Sequence, residues 1–274
     1  MDYQDLIYKK TGHVAIVTLN RPGSLNSLSE NLMREIAHVF DHIEEDREVR
    51  CVVLTGAGDR AFSVGFDLDG NQVSMATPDV RAMLKGNYDI LLRIWNLRIP
   101  VIAAVNGYAV AAGSNLAMVS DITIAAESAK FGEPELRHFA LSPLLLLPWF
   151  AANKKKIHYL YYSGDTIGAA EALEYGMVAE VVPDDRLLDR AVAMAERISM
   201  VAPYAVESTK ESLRANYEQM GFLNAMRFHR TNDALVIGSN GIPEKEKFFE
   251  LIAEGNMKGF LELRDGPFKA AATS

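Results

Sequence analysis

Apolar and polar residues alternate near the start of the chain, through LIYKK and then HVAIVTLN, with Thr11 and Gly12 between the two runs. A period of two sends successive side chains to opposite faces, so the pair predicts a β-hairpin. RPGSLNSLS breaks the alternation as a loop. From Ser29 the period lengthens: Leu32, Ile36, Val39, Phe40 and Ile43 share one face of a helix running to about Glu45. Ser29 supplies the oxygen that caps its first turn. VRCVVLTG then reads as a short buried strand. A second helical period begins after Pro78 and runs to about Leu97, and VIAAVNG follows Pro100 as another buried strand. NLAMVS is helical, DITIAA strand-like and KFG briefly extended. This succession predicts an α/β architecture with parallel pairing.

From about Asn153 the strand pattern thins, and VAEVVP (Val178 to Pro183) is the last clear one. Helical periods cover Asp185 to Met200, Pro203 to Gln219, Gly221 to Ile237 and Glu244 to Glu254. The chain therefore divides into a core, 1–200, and a helical region, 201–274. In the latter, Phe222, Leu223, Met226 and Phe228 need cover from the core or from another subunit. A net charge of −8 argues against nucleic acid as the main partner, since phosphate binding draws on clustered Lys and Arg. Lys154, Lys155 and Lys156 form a local basic spot suited to a small phosphorylated ligand. The lone Cys51 excludes an internal disulfide and sits in a strand-like run, as a small core residue would. No signal peptide and no membrane span are read, so a cytoplasmic protein without a membrane partner is expected.

GAGDRA, at 56–61, meets the spacing of a dinucleotide fingerprint, but the helix that fingerprint needs does not follow; AFSVGFDL does. No CxxC or HExxH spacing occurs, so no metal is expected, and no G-x-S-x-G elbow is present. Two loops, AFSVGFDLDG and NGYAVAAGSN, have the small residues that bring backbone N–H groups close to a ligand. Tight strand–helix packing would demand the same composition. Together such loops suit an oxygen that gains negative charge. In KFGEPELRH, Glu133 and Glu135 flank Pro134, so the segment is extended or turning. If extended, the two carboxylates point the same way, and apolar neighbours raise a carboxyl pKa toward the range of a general base. His138 follows closely, and exposure to solvent is its expected state.

Taken together, these segments resemble the crotonase (enoyl-CoA hydratase/isomerase) superfamily. The likeness runs in the family's order through VAIVTLNRPGSLNSLS, VRCVVLTGAGDRAFSVGFDL and IPVIAAVNGYAVAAGSNLAMVSDITIAAESAKFGEPEL. It continues through SGDTIGAAEALEYGMVAEVVP and FFELIAEGNMKGFLELRDGPF. The resemblance implies a crotonase-like core of repeated ββα units and a helical C-terminal region that assembles homotrimers or dimers of trimers. It implies an acyl-CoA thioester as substrate and no separate cofactor. The ADP part would lie on the first loop, with the pantetheine threading inward. The backbone N–H groups of Phe66 and Ala112 map to the oxyanion hole, and Glu135 maps to a proton-transfer glutamate. The family's other glutamate falls on Asn115, an amide that holds water or a substrate oxygen but does not ionise. One carboxylate suits a shuttle that moves a double bond; hydration by Glu135, with Asn115 orienting water, is the other route. Glu133 and His138 are candidate polar groups of the acyl pocket. A non-catalytic acyl-CoA-binding scaffold, C–C hydrolysis and decarboxylation are the alternatives, because one fold hosts several chemistries.

Overall fold

Residues 2–68 and 77–271 are described in a computed structural model of the chain. The first alternating runs form β1 (Leu6–Thr11) and β2 (Val14–Leu19), antiparallel about a turn in which Gly12 takes a φ of 56°. From β2 the sheet continues in parallel through β3 (Cys51–Gly56), β5 (Val101–Val105), β7 (Ile122–Ala126) and β10 (Glu180–Val182). A second sheet of four strands holds β4 (Ala61–Ser63), β6 (Tyr108–Val110), β8 (Lys130–Gly132) and β9 (Thr166–Gly168). Its first three strands are parallel and β9 runs against β8.

The two sheets grow together. After β3 the chain adds β4 to the second sheet and enters α2 (Thr77–Asn96); after β5 it adds β6 and enters α3 (Ala112–Val119). This is the ββα repeat. Every residue of β3 and β5 is buried because both faces of the large sheet are covered. On one face Val53, Ile102 and Ile124 meet Leu187, Ala191 and Ala195 of α7 (Leu187–Ser199). On the other, Val52, Leu54 and Ala103 share the main core with Leu32 and Ile36 of α1 (Glu30–Glu45), with Leu91 and with Leu116. Two covered faces explain why these strands read as unbroken apolar runs rather than alternating ones. The cap of α1 forms as its sequence requires: Ser29 Oγ accepts from the Leu32 N–H at 3.1 Å.

Short helices α4 (Leu147–Phe150), α5 (Lys154–Ser163) and α6 (Ala169–Glu174) link β8 to β10. The C-terminal region is α8 (Pro203–Gln219), α9 (Phe222–Gly238), α10 (Pro243–Ala253) and α11 (Met257–Ala271). It is fastened to the core by Lys210, whose buried ammonium donates to Asp121 Oδ2 at 2.7 Å and to the Ile99 carbonyl at 2.9 Å. Neither β9 nor α11 was expected. The first is three residues long with a glycine in its last place, and the second contains Pro267. Among the described residues no helix is long and apolar enough to cross a membrane.

Candidate active site

Pro134 decides the geometry of the carboxylate pair. It fixes φ and withdraws an N–H, so the extended run of β8 stops and a 3-10 turn, Pro134–His138, begins. Glu133 and Glu135 therefore do not alternate as in a strand, and the pairing expected of an extended segment is replaced by a turn. Both side chains are nevertheless turned into the protein, at 2% and 6% exposure.

Their surroundings differ. Asn115 Nδ2 donates to Glu133 Oε1 at 3.1 Å, and Ser142 Oγ donates to Glu133 Oε2 at 2.7 Å. Burial pushes the Glu133 carboxyl up to about 8, against the pull of these hydrogen bonds. Among the described residues neither oxygen of Glu135, both buried, has a hydrogen-bond partner. Burial first, then the neighbouring Glu133 charge, hold its pKa well above the ordinary carboxylate range. Ser114 Oγ, also buried, makes no well-formed hydrogen bond.

Asn115 is the fourth residue of α3 and is wholly buried. Besides Glu133, its Nδ2 reaches Ser142 Oγ at 3.1 Å, and its Oδ1 accepts from the Leu144 N–H at 2.6 Å. The amide is thus occupied by protein groups, with Glu133 foremost, rather than left open to water.

Small residues bring the two loops together. Gly65, at φ 93°, leaves room that a Cβ would fill at 2.8 Å from Ala111 Cβ and 3.0 Å from the Ala112 nitrogen. A Cβ on Gly113 would stand 2.1 Å from the Ser63 carbonyl oxygen, so only glycine lets α3 start this close to β4. Leu28 ties down the groups beside Phe66: its N–H donates to the Gly65 carbonyl at 2.8 Å and its carbonyl accepts from the Asp67 N–H at 3.2 Å. Among the described residues, neither the Phe66 N–H nor the Ala112 N–H donates to a backbone carbonyl. Asp69 and Gly70, the end of the first loop, lie outside the described residues.

His138 is not solvent-exposed as expected. Its Nδ1 is buried without a partner, its ring meets Phe260 edge-on at 5.3 Å, and burial pushes its pKa down to about 4. The cause is α11, which lies over the 3-10 turn with Phe260 fully buried and Arg137 stacked 3.5 Å from the centre of the Phe268 ring.

Four site residues escaped the sequence reading. Tyr161, on α5, is half-buried, and its hydroxyl is driven well above its usual pKa by desolvation and then by Glu133. Ser142 is a lone polar residue in the apolar run FALSPLLLLPW. His229 and Asp233, one turn apart on α9, grip the same segment. His229 Nε2 donates to the Ser142 carbonyl at 2.7 Å, and the Leu141 N–H donates to Asp233 Oδ1 at 2.9 Å. Two polar residues at i and i+4, in step with the apolar Phe222 and Met226 of α9, were the available signal. His38 and His42 have that spacing on α1 as well, but His38 pairs with the Tyr3 hydroxyl at 2.9 Å and His42 packs edge-on against Tyr8. Among the described residues no group of three His, Cys, Asp or Glu could hold a metal ion.

Two sheets wound together from ββα units, closing over a buried carboxylate pair beside the start of α3, define a crotonase-fold protein. A family model described as "Enoyl-CoA hydratase/isomerase" matches residues 9–269, and the chain belongs to that family. It is 37% identical over 230 residues to a probable mitochondrial enoyl-CoA hydratase of Dictyostelium discoideum, covering 81% of this chain and 79% of the relative. It is 35% identical over 221 residues to the short-chain-enoyl-CoA hydratase of Clostridium acetobutylicum, covering 78% and 82%. The crystal structure of an enoyl-CoA hydratase/isomerase from Xanthobacter autotrophicus Py2 superposes with a TM-score of 0.91 at 35% identity, over 97% of this chain and 99% of that one.

Proposed function

We propose that the protein acts on an enoyl-CoA thioester, hydrating or moving its double bond. Glu135 is the proton-transfer group, and the Phe66 and Ala112 N–H groups bind the thioester oxygen. The observation that carries this reading is Glu135 itself, a buried carboxyl with both oxygens unpartnered. Such a group costs the fold stability, and unsatisfied buried polar atoms are rare for that reason, so its presence points to a use. Burial and the neighbouring Glu133 raise its pKa and so favour the acid form, fit to deliver a proton to carbon and to take one back.

The enolate formed on the way places charge on the thioester oxygen. Two backbone N–H groups that donate to no backbone carbonyl among the described residues, one at the N-terminal end of α3, are suited to receive it. Because only the backbone acts there, the methyl group of Ala112 is compatible with the role. CoA enters as part of the substrate, and no separate cofactor is needed for this chemistry. Asn115 serves by holding Glu133 rather than by binding water directly. The scaffold reading is less well supported, since a non-catalytic protein gains nothing from an unpaired buried acid. Product analysis separates C–C hydrolysis and decarboxylation from the proposed reaction.

Glu135→Gln is the test, on a panel of 2-enoyl- and 3-enoyl-CoA substrates. A fall in kcat of ~10²–10⁴-fold with acyl-CoA binding retained is expected. Turnover equal to the wild type would remove Glu135 from the mechanism, and binding without turnover in the wild type would favour the scaffold.

A further inference from the structure

We infer that Glu133 is a second acid–base group of this site, taking the proton of the water that adds to C3 of the enoyl chain while Glu135 protonates C2. The inference rests on the enoyl-CoA reading above and specifies hydration as the reaction the site is built for.

Orientation is the first ground. Each oxygen of Glu133 has its own donor, Asn115 Nδ2 at 3.1 Å and Ser142 Oγ at 2.7 Å. Both donors are themselves held. The Leu144 N–H fixes the Asn115 carbonyl oxygen at 2.6 Å, and His229 fixes the Ser142 carbonyl at 2.7 Å. Asp233 anchors the adjoining Leu141 N–H at 2.9 Å. Three elements distant in sequence thus converge on one buried carboxylate. A side chain required only to fill space would be less costly as an amide or a hydrocarbon of similar size.

Pairing is the second ground. Glu133 and Glu135 are close enough for the charge of the first to raise the pKa of the second, and like charges in a buried site do not both ionise readily. The other groups facing the pair are the Tyr161 hydroxyl from α5, Asp233 from α9, Arg264 from α11 and the Ser114 hydroxyl from α3. Only Arg264 among them is a cation. Burial raises both carboxyls, but Glu133 has hydrogen-bond donors from Asn115 and Ser142 that favour its anion, while Glu135 is held up by burial and by the Glu133 charge. The donors on Glu133 suit it to hold the negative charge, which makes it the base and leaves the unpartnered Glu135 as the acid, two roles set by two environments.

The step balances. The water oxygen bonds to C3 and its proton passes to the Glu133 carboxylate. The C2–C3 π pair moves into the thioester enolate, which collapses as C2 takes the proton of Glu135. Transfer of one proton from Glu133 to Glu135 restores the pair, and the net change is addition of one water. Asn115 and Ser142 are positioning residues, acting through Glu133.

Glu133→Gln, Glu133→Asp and Ser142→Ala, assayed for 2-enoyl-CoA hydration and for solvent deuterium exchange at C2 of acyl-CoA, test this. E133Q is expected to lower kcat for hydration by ~10²–10⁴-fold with KM nearly unchanged, while Glu135-dependent exchange continues. E133D, which keeps the acid one methylene short, should recover part of the loss. S142A removes a donor to the carboxylate and should move the acidic limb of the hydration profile to higher pH, a readout that stands even if E133Q does not fold. Wild-type hydration in folded E133Q, or an acidic limb that S142A leaves in place, overturns the inference and spares the role of Glu135. Equal loss of hydration, exchange and binding in E133Q also overturns it, assigning Glu133 to holding the site together. Wild-type protein inert toward every enoyl-CoA overturns the functional reading and this inference together.

Discussion

Ala111 holds φ 55° and ψ −135° at the mouth of α3, a conformation that an L side chain adopts only under strain. Relief of about 1–3 kcal/mol, less the ~0.4–1 kcal/mol of extra freedom that glycine brings to the unfolded chain, makes Ala111→Gly stabilising by about 1 kcal/mol. Urea denaturation should show a higher midpoint at unchanged slope. Asp233 gives a pH-dependent companion to this. Burial raises its carboxyl from 3.8 to about 7, so between those values the unfolded chain has released the proton while the folded one keeps it. Stability contributed by this group is full below pH ~4 and is lost as pH rises toward 7. Asp233→Asn retains an acceptor for the Leu141 N–H and removes the titration. It should match the wild type near pH 4 and exceed it by up to about 4 kcal/mol at pH 8, three pKa steps of ~1.4 kcal/mol each. A pH-independent difference in urea stability would contradict that account. At this scale FGEPE offered the carboxylate pair, and the family resemblance, not the segment by itself, singled out Glu135. Ser142, Tyr161, His229 and Asp233 were not legible, because only the fold brings them to the carboxylates from other segments.

The strands of the large sheet were legible for a physical reason: burial on both faces permits no polar interruption, so VRCVVLTG and VIAAVNG announce themselves. β9 lacked such a signal, since a three-residue strand shows no period. α11 carries Gly259, Gly266 and Pro267, all poor helix formers, and is held instead by tertiary contacts such as Phe260 against His138 and Phe248. The start of α3 offers the sharpest test of an element's placement. A methyl group at Gly113 would lie 2.1 Å from the Ser63 carbonyl oxygen, and backbone cannot swing aside as a side chain does. Gly113→Ala should displace the first turn of α3, and with it the Ala112 N–H, at a cost of about 1–3 kcal/mol in stability. On the proposed oxyanion role of that donor, kcat should fall at least ~10-fold with KM changing less. Thermal melting and steady-state kinetics on one preparation measure both effects, and unaltered kcat would detach Ala112 from the oxyanion role.

Over the whole molecule, the helical region divides its apolar residues between two fates. Phe222 and Met226 are buried in the chain's own core, which answers the need for cover noted in the sequence. Phe228, at 69% exposure, and Leu235, at 62%, stand seven residues apart on α9 and so share one face turned outward. Tyr204, on α8, is 83% exposed. Large apolar side chains left exposed on two neighbouring helices are the kind of surface that subunit contacts use, and we propose that another subunit covers them. A second copy of the chain meets that need through the same helices, in keeping with the homotrimer or dimer of trimers proposed from the resemblance. Sedimentation should then give three or six times the chain mass of 30.2 kDa. Joint replacement of Phe228 and Leu235 by glutamate puts charge into that contact, where desolvation without a partner is costly. The double variant should sediment at lower mass with helical circular dichroism retained, because both side chains already face solvent within one chain. A wild type that sediments at 30.2 kDa at micromolar concentration would refute the assembly, and a double variant of unchanged mass would move the interface off α9.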